Sequence, residues 1–152
     1  MKAVVQRVGR ASVAVEGALV GEIGAGMLVL LGVLKGDTHK ECDELALKVA
    51  QFRFFQDDNG KMNLSALDLS REVLVVSQFT LAADGSRGRR PSFDAAAPPA
   101  EAEPLYERFV EQLRALGLKC ATGKFGAMMQ VELVNDGPVT FVLEISAGTA
   151  RA

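Results

Sequence analysis

The sequence is poor in the side chains that most often build catalytic or metal centres. It holds one histidine, His39, and two cysteines, Cys42 and Cys120, which form no Cys-x-x-Cys pair. A Ser-His-Asp triad needs a histidine beside its nucleophile, and a zinc site needs several ligands at short spacing. We therefore expect no metal and no cofactor. His39 is interpreted as a surface residue and both cysteines as reduced packing residues.

The chain also lacks an excess of one charge sign and a long apolar run. Seventeen Lys and Arg residues against 19 Asp and Glu residues give a formal charge of −2, so no basic field covers the whole surface. The longest apolar run, residues 27–34, is interrupted by Gly32 and is far shorter than the ~20 residues that span a bilayer. Residues 1–7 begin like a strand and lack the apolar core of a signal peptide. These absences predict a cytoplasmic protein that does not act on membranes.

The chain does contain enough apolar material for one packed domain. Its 152 residues are 49% hydrophobic, so residues 1–152 are interpreted as a single domain. Glycines separate short β-branched segments, which is typical of strands joined by turns or bulges, as at Gly9, Gly17, Gly24 and Gly26. The predicted strands are residues 2–8, 12–16, 19–23, 27–33, 72–79, 127–134 and 139–145.

Two helices are predicted between the strands. Thr38 opens the first with capping-box spacing to Glu41, and the helix should end before the turn at residues 57–60. The second tolerates Pro104 in its first turn, carries apolar residues at helical spacing and stops at Gly117. The predicted fold class is therefore α+β, a closed or nearly closed antiparallel β-barrel with two helices.

Two hydroxyl side chains and one amide lie where a buried apolar strand gives way to a long loop, residues 82–99. The segment reads Ser77, Gln78, Phe79, Thr80 and Leu81. One interpretation is structural, with both hydroxyls bonded to backbone at the strand end, and the spacing alone favours it. The other interpretation is a polar pocket floor whose backbone N–H groups form an oxyanion hole.

The long loop carries three arginines in four positions, Arg87, Arg89 and Arg90. The planar guanidinium group suits phosphate oxygens, so the cluster is a candidate phosphate-binding segment in an otherwise acidic protein. A solvated charge cluster explains the composition equally well. Both interpretations stay open at this point.

A proline lies between the last two predicted strands. Asn135, Asp136 and Gly137 ahead of Pro138 are typical of a simple hairpin turn. A cis X-Pro peptide lies only ~0.5–1 kcal/mol above trans, and a cis bond turns adjacent carbonyls in one direction. Parallel carbonyls would form a receptor for an ammonium group, which is the functional alternative to the hairpin.

Taken in order, these segments resemble those of the D-aminoacyl-tRNA deacylases. The resemblance covers residues 1–146, and its two most specific motifs are SQFTL and NDGPVT. It is carried by Val5-Gln6-Arg7-Val8, Ser77-Gln78-Phe79-Thr80-Leu81, Arg90-Pro91-Ser92-Phe93, Thr122-Gly123-x-Phe125-Gly126-Ala127-x-Met129 and Leu133-Val134-Asn135-Asp136-Gly137-Pro138-Val139-Thr140. Arg87-Gly88-Arg89 departs from the more familiar Lys-Gly-Asn. The tail, residues 147–152, has no role that can be read from its sequence.

The resemblance implies a homodimer of barrel-like subunits with shared active sites that bind the 3′ end of aminoacyl-tRNA. The Gly137-Pro138 peptide is then cis and reaches from one subunit into the site of the other. Its two carbonyls hold the α-ammonium group of the substrate, and Arg7 buttresses the turn. The segment from Ser77 to Thr80 is then the catalytic element on the facing subunit.

Further roles follow from the same resemblance. Backbone N–H groups around Gln78, Phe79 and Thr80 face the aminoacyl carbonyl, while Phe125 and Met129 wall the pocket for the terminal adenosine. An L side chain would meet the Gly-Pro wall and a D side chain would point to solvent. We therefore expect hydrolysis of D-aminoacyl-tRNA and of glycine mischarged on tRNA for alanine.

Water attack is the expected chemistry, because the sequence shows no base beside Thr80 that would make its hydroxyl a nucleophile. A covalent Thr80 intermediate is the alternative. Two other classes of protein remain as rivals at this stage. One is a tRNA-binding module without catalysis, and the other is a conventional metal- or thiol-dependent hydrolase.

Overall fold

The computed structural model of the chain describes residues 1–148. The strands in this range are β1 (Lys2–Val15), β2 (Ala18–Ile23), β3 (Gly26–Gly32), β4 (Phe55–Gln56), β5 (Met62–Leu64), β6 (Glu72–Ser77), β7 (Cys120–Thr122) and β8 (Gln130–Glu144). The helices are α1 (His39–Gln51), α2 (Ala66–Leu69), α3 (Pro99–Ala115) and a 3₁₀ helix (Phe79–Ala82). Of the tail at residues 147–152, residues 149–152 lie outside the described range.

The main sheet is mixed, whereas the sequence predicted an antiparallel one. Its order is β2-β1-β3-β6-β7, with β8 along the other edge of β1, and the β3–β6 and β6–β7 pairs are parallel. A helix lies in each connection, α1 between β3 and β6 and α3 between β6 and β7. Such a crossover returns the chain to the same end of the sheet, and this makes the next strand parallel. The alternation of apolar and polar residues within one strand does not show which strands are connected through a helix, so the parallel pairs were not predicted.

The sheet curls until β2 approaches β7, so the barrel is nearly closed, as predicted. The close approach is visible at Gly21, where an added Cβ would collide with the backbone carbonyl of Thr122. Gly26 likewise faces the backbone of Glu72 at the start of β3. Glycine at these two positions therefore permits contact between neighbouring backbones rather than a turn.

Two pairs of predicted strands are single long strands. β1 continues through Gly9, which is the extra residue in the pairing with β8, between Val8↔Asn135 and Arg10↔Val134. Gly9 thus forms a bulge and not a turn. β8 likewise runs through Gly137 and Pro138, and both of its halves pair with β1. The hairpin interpretation of this segment is therefore wrong.

The helices follow the predicted boundaries in part. α1 has Thr38 as its N-cap with both capping-box bonds to Glu41, as expected. α3 begins at Pro99, so Pro104 lies inside the helix and not in its first turn. Pro99 already occupies the first position, where the missing N–H costs no helical hydrogen bond. α2, the 3₁₀ helix and the β4–β5 hairpin were not anticipated, because each is too short to show periodicity.

The core consists of two apolar clusters on opposite faces of the sheet. The first lies between the sheet and helices α1 and α3, and includes Val75, Tyr106 and Phe109. The second fills the inside of the curl and includes Leu74 and Val76. β6 contributes to both clusters, so it is covered on both faces as its apolar sequence predicted. None of the helices within residues 1–148 is long and apolar enough to cross a membrane.

Candidate active site

The first part of the candidate site is the end of β6. The strand stops at Ser77, and the N–H of Gln78 still donates to the Leu31 carbonyl of β3 at 2.8 Å. The chain then turns into the 3₁₀ helix, in which Phe79 and Thr80 are the first two residues. A helix leaves its first N–H groups without internal partners, and within residues 1–148 neither of these two donates to another group. The free donors at this strand end are thus those of Phe79 and Thr80, while that of Gln78 is committed to the sheet.

The side chains of this segment point away from the core and contact one another. Gln78 Nε2 donates to Thr80 Oγ1, so the Thr80 hydroxyl binds a side chain rather than the backbone partner considered from the sequence. The Phe79 ring is 56% exposed and lies 5.1 Å, centroid to centroid, from the ring of Phe93 in the long loop. Ser77 is half-buried behind them. The result is a polar and aromatic surface at the end of a rigid strand.

Phe125 and Met129 lie beside this strand end. The N–H of Gly123 donates to the Val75 carbonyl of β6, and this bond brings the segment after β7 next to Ser77. A Cβ at Gly123 would lie 2.7 Å from Met129 Sδ and 3.8 Å from the side chain of Val76. Phe125 lies 5.8 Å from the ring of Tyr106. Phe125 packs against the helix-covered cluster and Met129 against the inner cluster, so the two predicted pocket residues lie near the end of β6 but on opposite faces of the sheet.

Tyr106 of α3 contacts both β6 and the segment after β7. Its hydroxyl donates to the Val75 carbonyl at 2.9 Å, two residues before the end of β6. Burial raises the pKa of this phenol to about 12, so it stays neutral and serves as a fixed donor. Sequence reasoning missed Tyr106, although it is the only tyrosine of the chain.

The second part of the site is a large bulge in β8 that contains Gly137 and Pro138. The pairing with β1 jumps from Val8↔Asn135 to Gln6↔Thr140, so four residues of β8 lie opposite Arg7 alone. The Gly137-Pro138 peptide is cis, as the resemblance implied, and both residues are exposed. No side chain of residues 1–148 donates to either of their carbonyls. Two adjacent acceptors are thus presented at the surface of β8.

Arg7 supports this bulge from inside. Its Nε donates to the Asp136 carbonyl at 2.8 Å, and its Nη1 donates to the Phe54 carbonyl at 3.0 Å. The residue is only 8% exposed, and a buried guanidinium needs such acceptors because its charge is costly to desolvate. The Asp136 carboxylate lies 3.6 Å away and is exposed. The buttressing contact that the resemblance implied for Arg7 is therefore present in the geometry.

The two parts of the site are far apart within one chain. Three strand steps separate β8 from β6 across β1 and β3, and Arg7 lies four residues along β1 from Ala3, which shares a row with Ser77. At normal strand spacing and rise, this offset corresponds to roughly 20 Å between Ser77 and the bulge, measured along the sheet. The two segments are therefore not neighbours in the pairing of one chain.

The three arginines occupy the tip of an ordered loop. Asp84 and Ser92 exchange two backbone hydrogen bonds of 2.8 Å, which close the loop at its base. Arg87, Arg89 and Arg90 lie between them, and all three are exposed. None of them forms an ion pair within residues 1–148. The loop base leads directly into Phe93, so the arginines are anchored next to the exposed ring of Phe79.

The remaining reactive residue types lie elsewhere. Cys42 is buried and donates to the Leu105 carbonyl, and burial raises the pKa of its thiol to about 12. Burial also raises the pKa of Cys120 to about 11, so neither thiol is a ready nucleophile. His39 is exposed in the first turn of α1, as expected. Within residues 1–148 no three His, Cys, Asp or Glu side chains are grouped so as to hold a metal ion.

The described residues thus form a nearly closed barrel with two unpartnered N–H groups at a strand end and an exposed Gly-Pro bulge. The family model described as D-Tyr-tRNA(Tyr) deacylase matches residues 4–144. The chain therefore belongs to this family, and it is an enzyme, a hydrolase of the deacylase type.

Similar proteins agree with the family model. Proteins named D-aminoacyl-tRNA deacylase from Geobacter sulfurreducens and Thermotoga petrophila are 58% and 60% identical over 144 and 146 residues. These alignments cover 95% and 96% of this chain, and 95% and 98% of the relatives. A solved structure named c-Myc DNA Unwinding Element Binding Protein superposes with a TM-score of 0.91 at 48% identity, covering 97% of this chain and all of that one.

A second solved structure shares the fold at low sequence identity. It is named as a probable eukaryotic D-amino acid tRNA deacylase and superposes with a TM-score of 0.82 at 17% identity. The superposition covers 95% of this chain and 98% of that one. The mixed, nearly closed barrel therefore persists in chains whose sequences differ at most positions.

Proposed function

We propose that this protein hydrolyses the ester bond of D-aminoacyl-tRNA in the cytoplasm, as a homodimer in which each active site is built from both chains. The observation that carries the proposal is that three strand steps, roughly 20 Å along the sheet, separate the strand end with the Phe79–Thr80 donors from the bulge with the Gly137-Pro138 acceptors in one chain. Two groups needed by one small substrate come together only if they belong to different chains. Membership of the deacylase family supplies the substrate class.

The surface of β8 supports a partner chain. β8 pairs with β1 along one edge and has no paired strand on its other edge within residues 1–148. Val134 and Val142 are exposed on the faces of this strand, Val142 by 69%. Proteins usually cover both an unpaired strand edge and exposed apolar side chains. A second copy of this chain, related by a two-fold axis, would cover both and bring a bulge to each facing site.

The proposed reaction uses backbone groups rather than a side-chain nucleophile. The N–H groups of Phe79 and Thr80 stabilise negative charge on the aminoacyl carbonyl oxygen as a water molecule adds to the carbonyl carbon. The bond from carbon to the ribose oxygen then breaks, and that oxygen takes a proton. The neighbouring 2′-hydroxyl of the terminal ribose assists. The products are the free D-amino acid and the tRNA.

Chirality is read from three fixed points of the substrate. The Gly137 and Pro138 carbonyls of one chain hold the ammonium group, and the Phe79 and Thr80 donors of the other hold the carbonyl. With the ester oxygen also fixed, a D side chain points to solvent and an L side chain meets the Gly-Pro wall. Glycine has no side chain to exclude, so glycine mischarged on tRNA for alanine is a second substrate.

The rest of the tRNA 3′ end lies along the surface beside β6. Phe125 and Met129 form the wall for the terminal adenosine. Arg87, Arg89 and Arg90 extend from the loop base beside Phe79 and are suited to bind phosphates of the acceptor end. Because the whole chain carries a formal charge of −2, this local cluster is the part of the surface best suited to attract RNA.

The proposal is tested by measuring the deacylation of D-Tyr-tRNA, L-Tyr-tRNA and Gly-tRNA side by side, with EDTA present. We expect loss of the D and glycyl esters while the L ester persists. Cleavage of none of the three would indicate a binding module without catalysis. Cleavage of all three would contradict the Gly-Pro wall, and activity that EDTA abolishes would contradict the backbone mechanism.

A further inference from the structure

Asn135 occupies the start of the β8 bulge and was interpreted from sequence as part of a turn and of the NDGPVT motif, with no role of its own. Its side-chain amide makes three hydrogen bonds across the bulge. Oδ1 accepts from the Val139 N–H at 2.7 Å, while Nδ2 donates to the Val139 carbonyl at 3.1 Å and to Thr140 Oγ1 at 3.2 Å. Both backbone groups of Val139 are therefore satisfied by a single side chain.

This arrangement replaces a missing stretch of sheet. Val139 is one of the four residues of β8 that share Arg7 as their only opposite residue, so it has no paired partner of its own on β1. Val139 is nevertheless buried, and a buried N–H or carbonyl without a partner is costly. The primary amide of Asn135 has one acceptor and two donors, so it pairs with Val139 as a neighbouring peptide group would.

The two ends of the bulge are thus held by different side chains. Arg7 takes the Asp136 carbonyl before the Gly-Pro pair, and Asn135 takes Val139 after it. Of the four carbonyls in the bulge, at residues 136–139, those of Gly137 and Pro138 are the two that accept no bond from a side chain of residues 1–148. The acceptors that the proposed function needs are those that these two clamps leave open.

We propose that Asn135 is a positioning residue for chiral selection, which fixes the direction of the Gly137 and Pro138 carbonyls by clamping Val139. This inference rests on the proposed function, because it assigns those carbonyls to the ammonium group of the substrate. Asn135 does not itself contact the substrate. Its loss therefore alters the ratio of D to L cleavage and the KM for the D ester more than it alters the hydrolytic step.

The experiment compares Asn135→Ala with Asn135→Asp and with a matched control, Asn63→Ala. Asn63 is an exposed residue whose amide makes one bond of 3.3 Å to Asp57, remote from the bulge. For each variant kcat and KM are measured with D-Tyr-tRNA and L-Tyr-tRNA, and thermal unfolding is recorded. Asn135→Asp keeps an acceptor for the Val139 N–H but places a carboxylate against the Val139 carbonyl and loses both donors.

We expect Asn135→Ala to lower the ratio of D to L kcat/KM by at least about tenfold, mainly through a higher KM for the D ester. Asn135→Asp should lower the ratio to a similar or smaller extent, and Asn63→Ala should leave it within about twofold of wild type. An unchanged ratio in Asn135→Ala, whether or not its Tm falls, overturns the inference. So does a fall in kcat that affects both esters equally.

The wild-type protein separates this inference from the proposed function. A wild type that cleaves D and L esters alike overturns the proposed function and the role of Asn135 with it. A wild type that discriminates, together with an Asn135→Ala variant that discriminates equally well, overturns only the role of Asn135. If Asn135→Ala does not fold, Asn135→Asp provides the same comparison.

Discussion

β6 and β8 both carry part of the candidate site, yet they are buried to very different extents. The four central residues of β6 are all buried, because both core clusters cover them. In β8 the exposed residues outnumber the buried ones, and Val139 is among the few that reach the core. β6 is thus complete within one chain, and its functional groups emerge only at its end.

Under the proposed function, this difference is what lets two elements that lie apart in one chain hold the same substrate. β6 supplies N–H groups at the end of a strand that is buried on both faces. β8 supplies carbonyls from an exposed bulge that Arg7 and Asn135 hold in place. Under the proposed function β8 is completed only by a partner chain, so the predictions below separate effects on the fold from effects on assembly.

The largest effects on activity are expected from one variant in β8 and one at the end of β6, and mixing the two variants should restore part of the activity. Phe79→Pro removes one proposed oxyanion donor at the first position of a 3₁₀ helix, where proline is tolerated, and should lower kcat by at least ~10²-fold. Gly137→Ala should be similarly inactive, because its Cβ would collide with the Val139 backbone and lie 2.6 Å from Val139 Cγ2. Refolding the two variants together should restore about a quarter of the wild-type sites, since half of the random dimers are mixed and each has one intact site.

Two controls accompany the mixing experiment. Phe79→Ala keeps the backbone N–H and should retain far more activity than Phe79→Pro, so the pair separates the donor from the ring. Each variant alone, refolded in the same way, sets the background rate. Mixed samples no more active than this background, at normal dimer content and normal Tm, would show that each site lies within one chain.

A large effect on stability is expected on the helix-covered face. Leu113→Ala in α3 removes a fully buried side chain and should lower the free energy of unfolding by about 2–5 kcal/mol. Leu116→Ala, at the end of the same helix, changes a residue that is 37% exposed and should cost less than about 1 kcal/mol. Urea unfolding of both variants checks the pair. Equal costs would contradict the account of the first core cluster.

The sequence predicted more of the structure of β6 than of β8. The apolar run of β6 predicted its burial on both faces, and the SQFTL motif placed the candidate catalytic segment at its end. The parallel pairing of β6 was missed, because it depends on which strands the chain connects across the helices. In β8 the turn-like residues around Gly137 predicted a hairpin, since local propensity cannot show that both halves pair with β1.

Some candidate site residues could be assigned from the sequence, and others could be recognised only in the structure. Arg7, Phe125 and Met129 were given roles through family motifs, whereas Asn135 was only part of a motif and Tyr106 was missed. Asn135 bonds to Val139 four residues along the chain, and Tyr106 bonds to the distant Val75. Composition and spacing contain no sign of such bonds. The separation of the two half-sites also follows only from the register of four strands, which no local pattern encodes.

A moderate effect is expected from the arginine loop. Replacing Arg87, Arg89 and Arg90 together by alanine should lower kcat/KM for D-Tyr-tRNA by about tenfold at low salt and reduce the salt dependence, with the slope of log kcat/KM against log salt falling by roughly 2. D-tyrosyl-adenosine, which lacks the acceptor stem, should react with unchanged kcat/KM. Equal losses on both substrates would mean that the loop shapes the pocket and does not bind phosphates.

A smaller effect is expected at the surface between α1 and α3. Arg108 donates two bonds of 2.7 Å to Asp43, and these hydrogen bonds hold the pKa of the Asp43 carboxyl below its usual 3.8. A lowered pKa in the folded state stabilises the fold above the ordinary value, and this contribution is lost as the pH falls through the lowered one. Asp43→Asn should therefore lower Tm by about 2 °C at pH 7 and by progressively less below pH 3.8. A Tm difference that stays constant into acid would contradict this linkage.

The smallest effect on the deacylation rate is expected from a change at Thr80, which a covalent mechanism would use as its nucleophile. Thr80→Ala removes the hydroxyl that accepts from Gln78 but leaves the backbone N–H in place. The side-chain partner of the Thr80 hydroxyl is the Gln78 amide, which is not a base, and a threonine hydroxyl without a base is a weak nucleophile. Single-turnover deacylation of D-Tyr-tRNA by Thr80→Ala should therefore stay within about threefold of wild type, in contrast to the loss expected for Phe79→Pro. A loss as large as that of Phe79→Pro, together with an acyl-enzyme trapped on wild-type protein, would instead assign the chemistry of the β6 end to its side chain.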